Sequence, residues 1–120
     1  MYTPTNWVII KINHPEQDTF YKIFAGWSGG YLTGDSWRIN SGITWFEEKE
    51  EEILFHGHSG SVYQCYKDGE GFSNTTSDIY AQLRSQELRS TQIGPISYTD
   101  FVKEFINTPP KNDTEQASGL

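Results

Sequence analysis

Apolar and aromatic positions recur first in short β-branched runs and only later at helical spacing. Trp7 to Ile12 and Thr19 to Ala25 are rich in side chains that suit a pleated surface, and His14 to Asp18 between them has turn chemistry. A hairpin with a five-residue loop is predicted there. Gly26 to Gly34 then places four glycines in nine residues, which predicts a wide loop or a bulged strand. Asp35 to Asn40 alternates, so Ser36, Arg38 and Asn40 share one face while Trp37 and Ile39 share the other, expected to point inward. Ile43 to Phe46, Ile53 to His58 and Ser61 to Tyr66 are three further strands, the last two joined by a Ser59-Gly60 turn. Strands in sequence joined by short turns pair antiparallel.

The helical period begins later. Ile79, Tyr80, Leu83 and Leu88 share one face of a helix over Thr76 to Leu88, with Ser77 and Asp78 near its start. A second helix follows Ser97 as N-cap, with Asp100 completing an approximate capping box and Ile96 and Phe101 forming a hydrophobic staple. Phe101, Val102, Phe105 and Ile106 make its expected buried stripe, and Pro109-Pro110 ends it. The fold class predicted is α+β: an antiparallel meander of five to six strands with one or two C-terminal helices packed on one face. Residues 1–107 form a single domain in this reading, and 108–120, polar apart from the final Leu120, are a disordered tail.

Composition sharpens the core. Of 120 residues 18 are aromatic, so packing rests on rings more than on Leu and Val. The formal charge is −7, of which −4 lies in Glu47-Glu48-Lys49-Glu50-Glu51-Glu52, so the chain is acidic in one turn and close to balanced elsewhere. The excess of acids over bases, 16 against 9, argues against binding a nucleic-acid backbone, which requires Lys and Arg to displace counterions. The acidic run reads first as a solvated turn that guards a strand edge, second as a docking patch for a basic protein, and third as partial nucleic-acid mimicry, which its confinement to six residues disfavours. No apolar run approaches the roughly 18 residues of a membrane span, and the first residues carry no export signal, so a cytoplasmic protein is expected. A lone Cys65 fits a reducing compartment.

Three groups of residues carry candidate chemistry. With a two-residue Ser59-Gly60 loop, His58 pairs with Ser61 and His56 with Tyr63, and Cys65 joins the same face opposite Leu54. Two imidazoles and a thiol are metal-ligand types, but no further donor completes a tetrahedral set, so no metal and no cofactor is implied. Ser28, Ser59 and Cys65 are the candidate nucleophiles; Gly26-Trp27-Ser28-Gly29-Gly30 lacks the strand-to-helix context of a nucleophile elbow, and nothing nearby activates Cys65. The third group is Trp27, Tyr31, Asp35, Ser36, Trp37, Arg38 and Asn40, which mixes rigid aromatic surface with small polar groups. Arg38 is the only Arg before residue 84, and its fork suits a carboxylate or phosphate.

The segments Gly29 to Ile43 (GGYLTGDSWRINSGI) and His58 to Cys65 (HSGSVYQC) resemble small uncharacterised proteins of large tailed bacteriophages, including cyanobacterial phages. The resemblance covers roughly residues 7 to 80 and implies a viral accessory protein acting in bacterial cytoplasm; it assigns no catalytic residue. The expectation is a non-enzymatic binding protein that engages a host protein through Trp27 to Gly42, aided by the acidic turn. Two alternatives remain open. One is a nucleotide-type small-molecule binder or small hydrolase using Arg38 with His56, His58, Ser61 and Tyr63, and the other is a minor virion component.

Overall fold

The computed structural model describes residues 1–30, 34–86 and 91–107. Within them the chain runs β1 (Asn6–Asn13), β2 (Phe20–Gly30), β3 (Gly34–Ile39), β4 (Ile43–Glu48), β5 (Glu52–Gly57), β6 (Val62–Tyr66), a 3₁₀ turn at Lys67–Gly69, α1 (Asn74–Ser85), β7 (Gln92–Ile96) and α2 (Tyr98–Asn107). The predicted α+β class and antiparallel pairing hold. The single meander does not: the strands divide into a larger sheet, β3-β2-β1-β7, and a smaller one, β4-β5-β6. The division falls at Asn40 to Gly42. Asn40 N–H donates to Ile23 O at 3.0 Å, keeping the end of β3 on β2, and Gly42 then turns the chain at φ +136°, a conformation that favours glycine. The next strand therefore starts a second sheet.

The two sheets bury their facing sides against each other. Trp7, Ile9, Tyr21, Ile23 and Ala25 come from the larger sheet, and Ile43, Phe46, Ile53, Phe55, Tyr63 and Cys65 from the smaller. Phe101 of α2 inserts beside them, with ring centroids 5.4 Å from Phe46 and 6.0 Å from Phe55. Each such ring buried contributes about 1.5–3 kcal/mol. The other face of the larger sheet carries Val8, Ile10 and Phe24, and α1 covers it with Ile79, Tyr80 and Leu83. The two helices thus serve two different layers and do not share the one face expected of them. Ile106, predicted in the buried stripe of α2, is 60% exposed because the helix seats only its Phe101 side in the core.

Local signals account for most of the ends. Ser73 accepts the Thr76 N–H while Thr76 Oγ1 accepts from Ser73 N–H, a reciprocal capping box that starts α1 two residues before the expected Thr76. Ser97 Oγ accepts the Asp100 N–H at 3.1 Å, as predicted for α2. Strand β7 escaped prediction because Gly94-Pro95 reads as a turn. Among the described residues it pairs only with β1, and Pro95 sits opposite Ile10, where an edge strand needs no N–H. Residues 108–120, expected to be a disordered tail, lie outside the described residues.

Candidate functional site

The hairpin of β2 and β3 carries the Trp27 to Gly42 candidates. Its register runs Phe24 opposite Ile39, Ala25 opposite Arg38, Gly26 opposite Trp37 and Trp27 opposite Ser36, then shifts before Gly30. This is the bulged strand expected from the glycines. Tyr31 lies outside the described residues.

Most of the polar candidates are tied to the fold. Trp27 is half-buried, donates Nε1–H to Thr3 O at 3.0 Å and meets the Tyr2 ring edge-on. Asp35 Oδ2 accepts the Thr75 hydroxyl at 2.6 Å and Oδ1 accepts the Gly29 N–H at 3.2 Å. These two bonds hold its carboxyl below the usual range and tether the hairpin to the first turn of α1. Asn40, 4% exposed, is a structural residue whose Oδ1 accepts the Ile23 N–H at 2.8 Å. Its Nδ2 has no partner within the described residues.

Trp37, Arg38 and Ser36 differ in being exposed without a side-chain hydrogen bond to any other described residue. Trp37 and Ile39 do not point into the core between the sheets; they lie on the α1 side, where Ile39 is half-buried while Trp37 is 42% exposed and touches Phe24 edge-on at 5.7 Å. The alternation of β3 was correct, but its inner side is the Ser36 and Arg38 side, facing the Tyr2 crossing between the sheets. Arg38 places its guanidinium 4.5 Å from the Tyr2 ring centroid, a cation–π contact, and among the described residues it has no carboxylate partner. The result is a solvent-facing strand with an aromatic on one side and a cation on the other.

The predicted His face does not assemble. Gly57 N–H donates to Ser61 O at 2.7 Å, closing a three-residue loop, His58-Ser59-Gly60, with Gly60 at φ +94°. One residue more than expected in the loop moves the register by one, so His56 faces Val62 and Phe55 faces Tyr63. Tyr63 and Cys65 therefore turn into the core at 1% and 0% exposure. Burial pushes the Cys65 thiol well above its ordinary range, and burial likewise raises Tyr63 against the lowering influence of Arg38. His56 lies on the outer face, 3.6 Å from Glu47, and His58 is exposed in the loop. Ser61 joins Ser59 and Ser41 in a hydroxyl cluster. No cluster of three or more metal-ligating side chains forms among the described residues.

Only Lys49 to Glu51 of the acidic run form the predicted turn, closed by Lys49 N–H to Glu52 O, while Glu47 and Glu48 extend β4 and Glu52 begins β5. Glu48 pairs with Lys67 at 2.9 Å and accepts the Tyr98 hydroxyl at 2.7 Å, and Glu52 accepts from Gln64. Glu48 and Glu52 thus tie strands and α2 together. Sequence reasoning overlooked Trp45, which is 56% exposed on the outer face of the smaller sheet opposite His56. A bulge between Ile43 and Trp45 turns it outward, and no simple alternation signals that. The described surface also carries a groove and a cleft. A 370 Å³ apolar groove lies between α1 and the larger sheet, and a 480 Å³ cleft is lined by Lys11, Asn13 and Arg84 with β7. Lys11 in that cleft is already engaged with Glu104 at 2.7 Å.

No protein-family model, curated protein or solved structure matches the chain. Its function is therefore argued from its own geometry.

Proposed function

We propose that this chain is a small non-enzymatic protein-binding module, a phage accessory factor that engages a host protein through the surface of β3. The observation that carries the proposal is the pairing of exposed Trp37 with Arg38, a cation without a carboxylate partner among the described residues. Aromatic and Arg side chains are the residues that most often dominate a protein interface. Their neighbours Trp27, Asp35 and Asn40 are bonded within the fold, so the two side chains stand on a braced strand. Bracing lowers the ordering cost of binding. The hydrolase reading draws no support from the His residues, since Tyr63 and Cys65 are turned away from His56.

The test is affinity purification of the tagged protein from a bacterial host followed by native mass spectrometry. A captured protein lost on Trp37→Ala and on Arg38→Ala, with both variants folded, supports the proposal. Retention of the partner by both variants, or capture of a nucleotide in place of a protein, overturns it. Recovery in purified virus particles makes the chain a virion component instead.

A further inference from the structure

We infer that β3 takes its partner by strand addition, and that the segment taken is extended and alternates apolar with acidic side chains; this rests on the protein-binding reading above. The backbone parity of the hairpin shows which groups are available. Asn40 N–H bonds to Ile23 O, so the Ile23/Asn40 position is a hydrogen-bonded pair, and the alternation of an antiparallel ladder makes Ala25/Arg38 and Trp27/Ser36 hydrogen-bonded as well. The N–H and C=O groups of Asp35, Trp37 and Ile39 then point away from β2. No other described segment pairs with them.

The other three sheet edges are closed or blunted. On β7 the same parity turns Pro95 outward, where it offers no N–H. On β6 the edge is occupied by Tyr2, which donates to Val62 O at 2.9 Å and accepts from Gln64 N–H at 2.7 Å. Strand β4 is bulged between Ile43 and Trp45 and ends in Glu47 and Glu48. Proteins protect edges by such devices because an open edge is a template for another chain. Strand β3 has neither proline nor a covering segment among the described residues, and the bulge of its hairpin lies on the glycine side of Trp27, away from Trp37 and Ile39.

The side chains choose the occupant. Residues facing each other across a hydrogen-bonded pair share a sheet face, so partner residues opposite Trp37 and Ile39 meet an aromatic and an aliphatic surface. The residue between them falls on the side of Arg38, where a carboxylate would supply the missing ion pair. A second copy is a poorer fit. Antiparallel self-pairing of β3 brings outward-facing residues opposite one another, which places Arg38 opposite Gly34, Ser36 or another Arg38 and never opposite Asp35. It also brings together two chains of charge −7.

The probe is the synthetic peptide acetyl-Lys-Thr-Val-Glu-Val-Thr-Lys-amide, titrated into the full chain and followed by backbone amide NMR shifts and hydrogen exchange. Saturable shifts and slowed exchange at Trp37 and Ile39 are expected. Replacing the peptide Glu by Lys weakens binding about fivefold, and N-methylation of the two valines weakens it about tenfold, while N-methylation of the Glu, whose N–H faces away, leaves it unchanged. Absence of shifts at Trp37 and Ile39, or equal tolerance of all N-methyl positions, overturns strand addition. Concentration-dependent protection of β3 without peptide also overturns it, in favour of a second copy. If strand addition fails while the purified partner still depends on Trp37 and Arg38, the protein-binding reading survives alone; if partner capture ignores both residues, that reading falls irrespective of the peptide.

Discussion

Cys65→Ser tests the β5/β6 register on which the loss of the His face depends. Cys65 is fully buried opposite Ile53, in the cluster with Trp7, Phe55 and Tyr63. Serine is slightly smaller, so little cavity arises; the cost is a hydroxyl buried among apolar groups, about 1–3 kcal/mol. For a domain of this size that lowers the thermal midpoint by about 5–15 °C. The paired control is Gln64→Ala on the outer face, half-exposed and bonded to Thr3 and Glu52, for which a loss below about 1 kcal/mol is expected. Thermal melts under reducing conditions read both. The wild-type thiol adds a second readout, because it is the only Cys in the chain. With a typical stability of about 5 kcal/mol, a thiol reagent should label native protein on the order of 10³ to 10⁴ times more slowly than unfolded protein. A neutral Cys65→Ser beside a costly Gln64→Ala, or rapid labelling of the native thiol, would place Cys65 on the outer face and refute the three-residue loop.

Further tests address the core, the helix contact and pH. Phe55→Ala removes a ring that touches Trp7, Phe46, Tyr98 and Phe101, and denaturant unfolding should show a loss of about 3–5 kcal/mol. A Cβ built at Gly26 would lie 2.5 Å from Thr76 Cγ2, so Gly26→Ala should destabilise by about 1–3 kcal/mol, and adding Thr76→Ser, which removes that methyl and keeps the capping hydroxyl, should restore most of it in the same assay. Tyr21 and Tyr98 have their phenol pKa raised, first by burial and then by bonding to Glu104 and Glu48. Raised phenols contribute stability that is full below their ordinary value near 10 and is lost as pH climbs above it. The same glutamates are held low, chiefly by Lys11 and Lys67, so their contribution is present above the ordinary carboxylate value and declines as pH falls through the lowered one. Unfolding midpoints measured across pH should therefore drop on both flanks, and Tyr98→Phe should flatten the alkaline one.

The strands, the acidic turn and the Ser97 cap were legible because period-2 runs, turn residues and a hydroxyl before a helix act locally. What failed was decided at a distance or by a single residue. The Ser59-Gly60 dipeptide does not reveal that His58 joins the loop, and that one residue carries Tyr63 and Cys65 from the surface to the core. Strand β7 is hidden by Pro95, acceptable only because its neighbour lies on one side. The split into two sheets depends on Asn40, whose side chain substitutes for a backbone acceptor at Ile23. For the site, alternation grouped Ser36 with Arg38 and Trp37 with Ile39 correctly. Which side faced the inter-sheet core could not be read locally, because α1 covers the far face of the same sheet.

Backbone amide hydrogen exchange of the chain, alone and with the partner captured from the bacterial host, tests the β3 binding surface most directly. Slowed exchange at Trp37 and Ile39, with Ile93 on the proline-bearing edge of β7 unchanged, is the predicted result. Protection centred on Trp45 and His56 of the smaller sheet, with β3 exchanging as in the free protein, would contradict it.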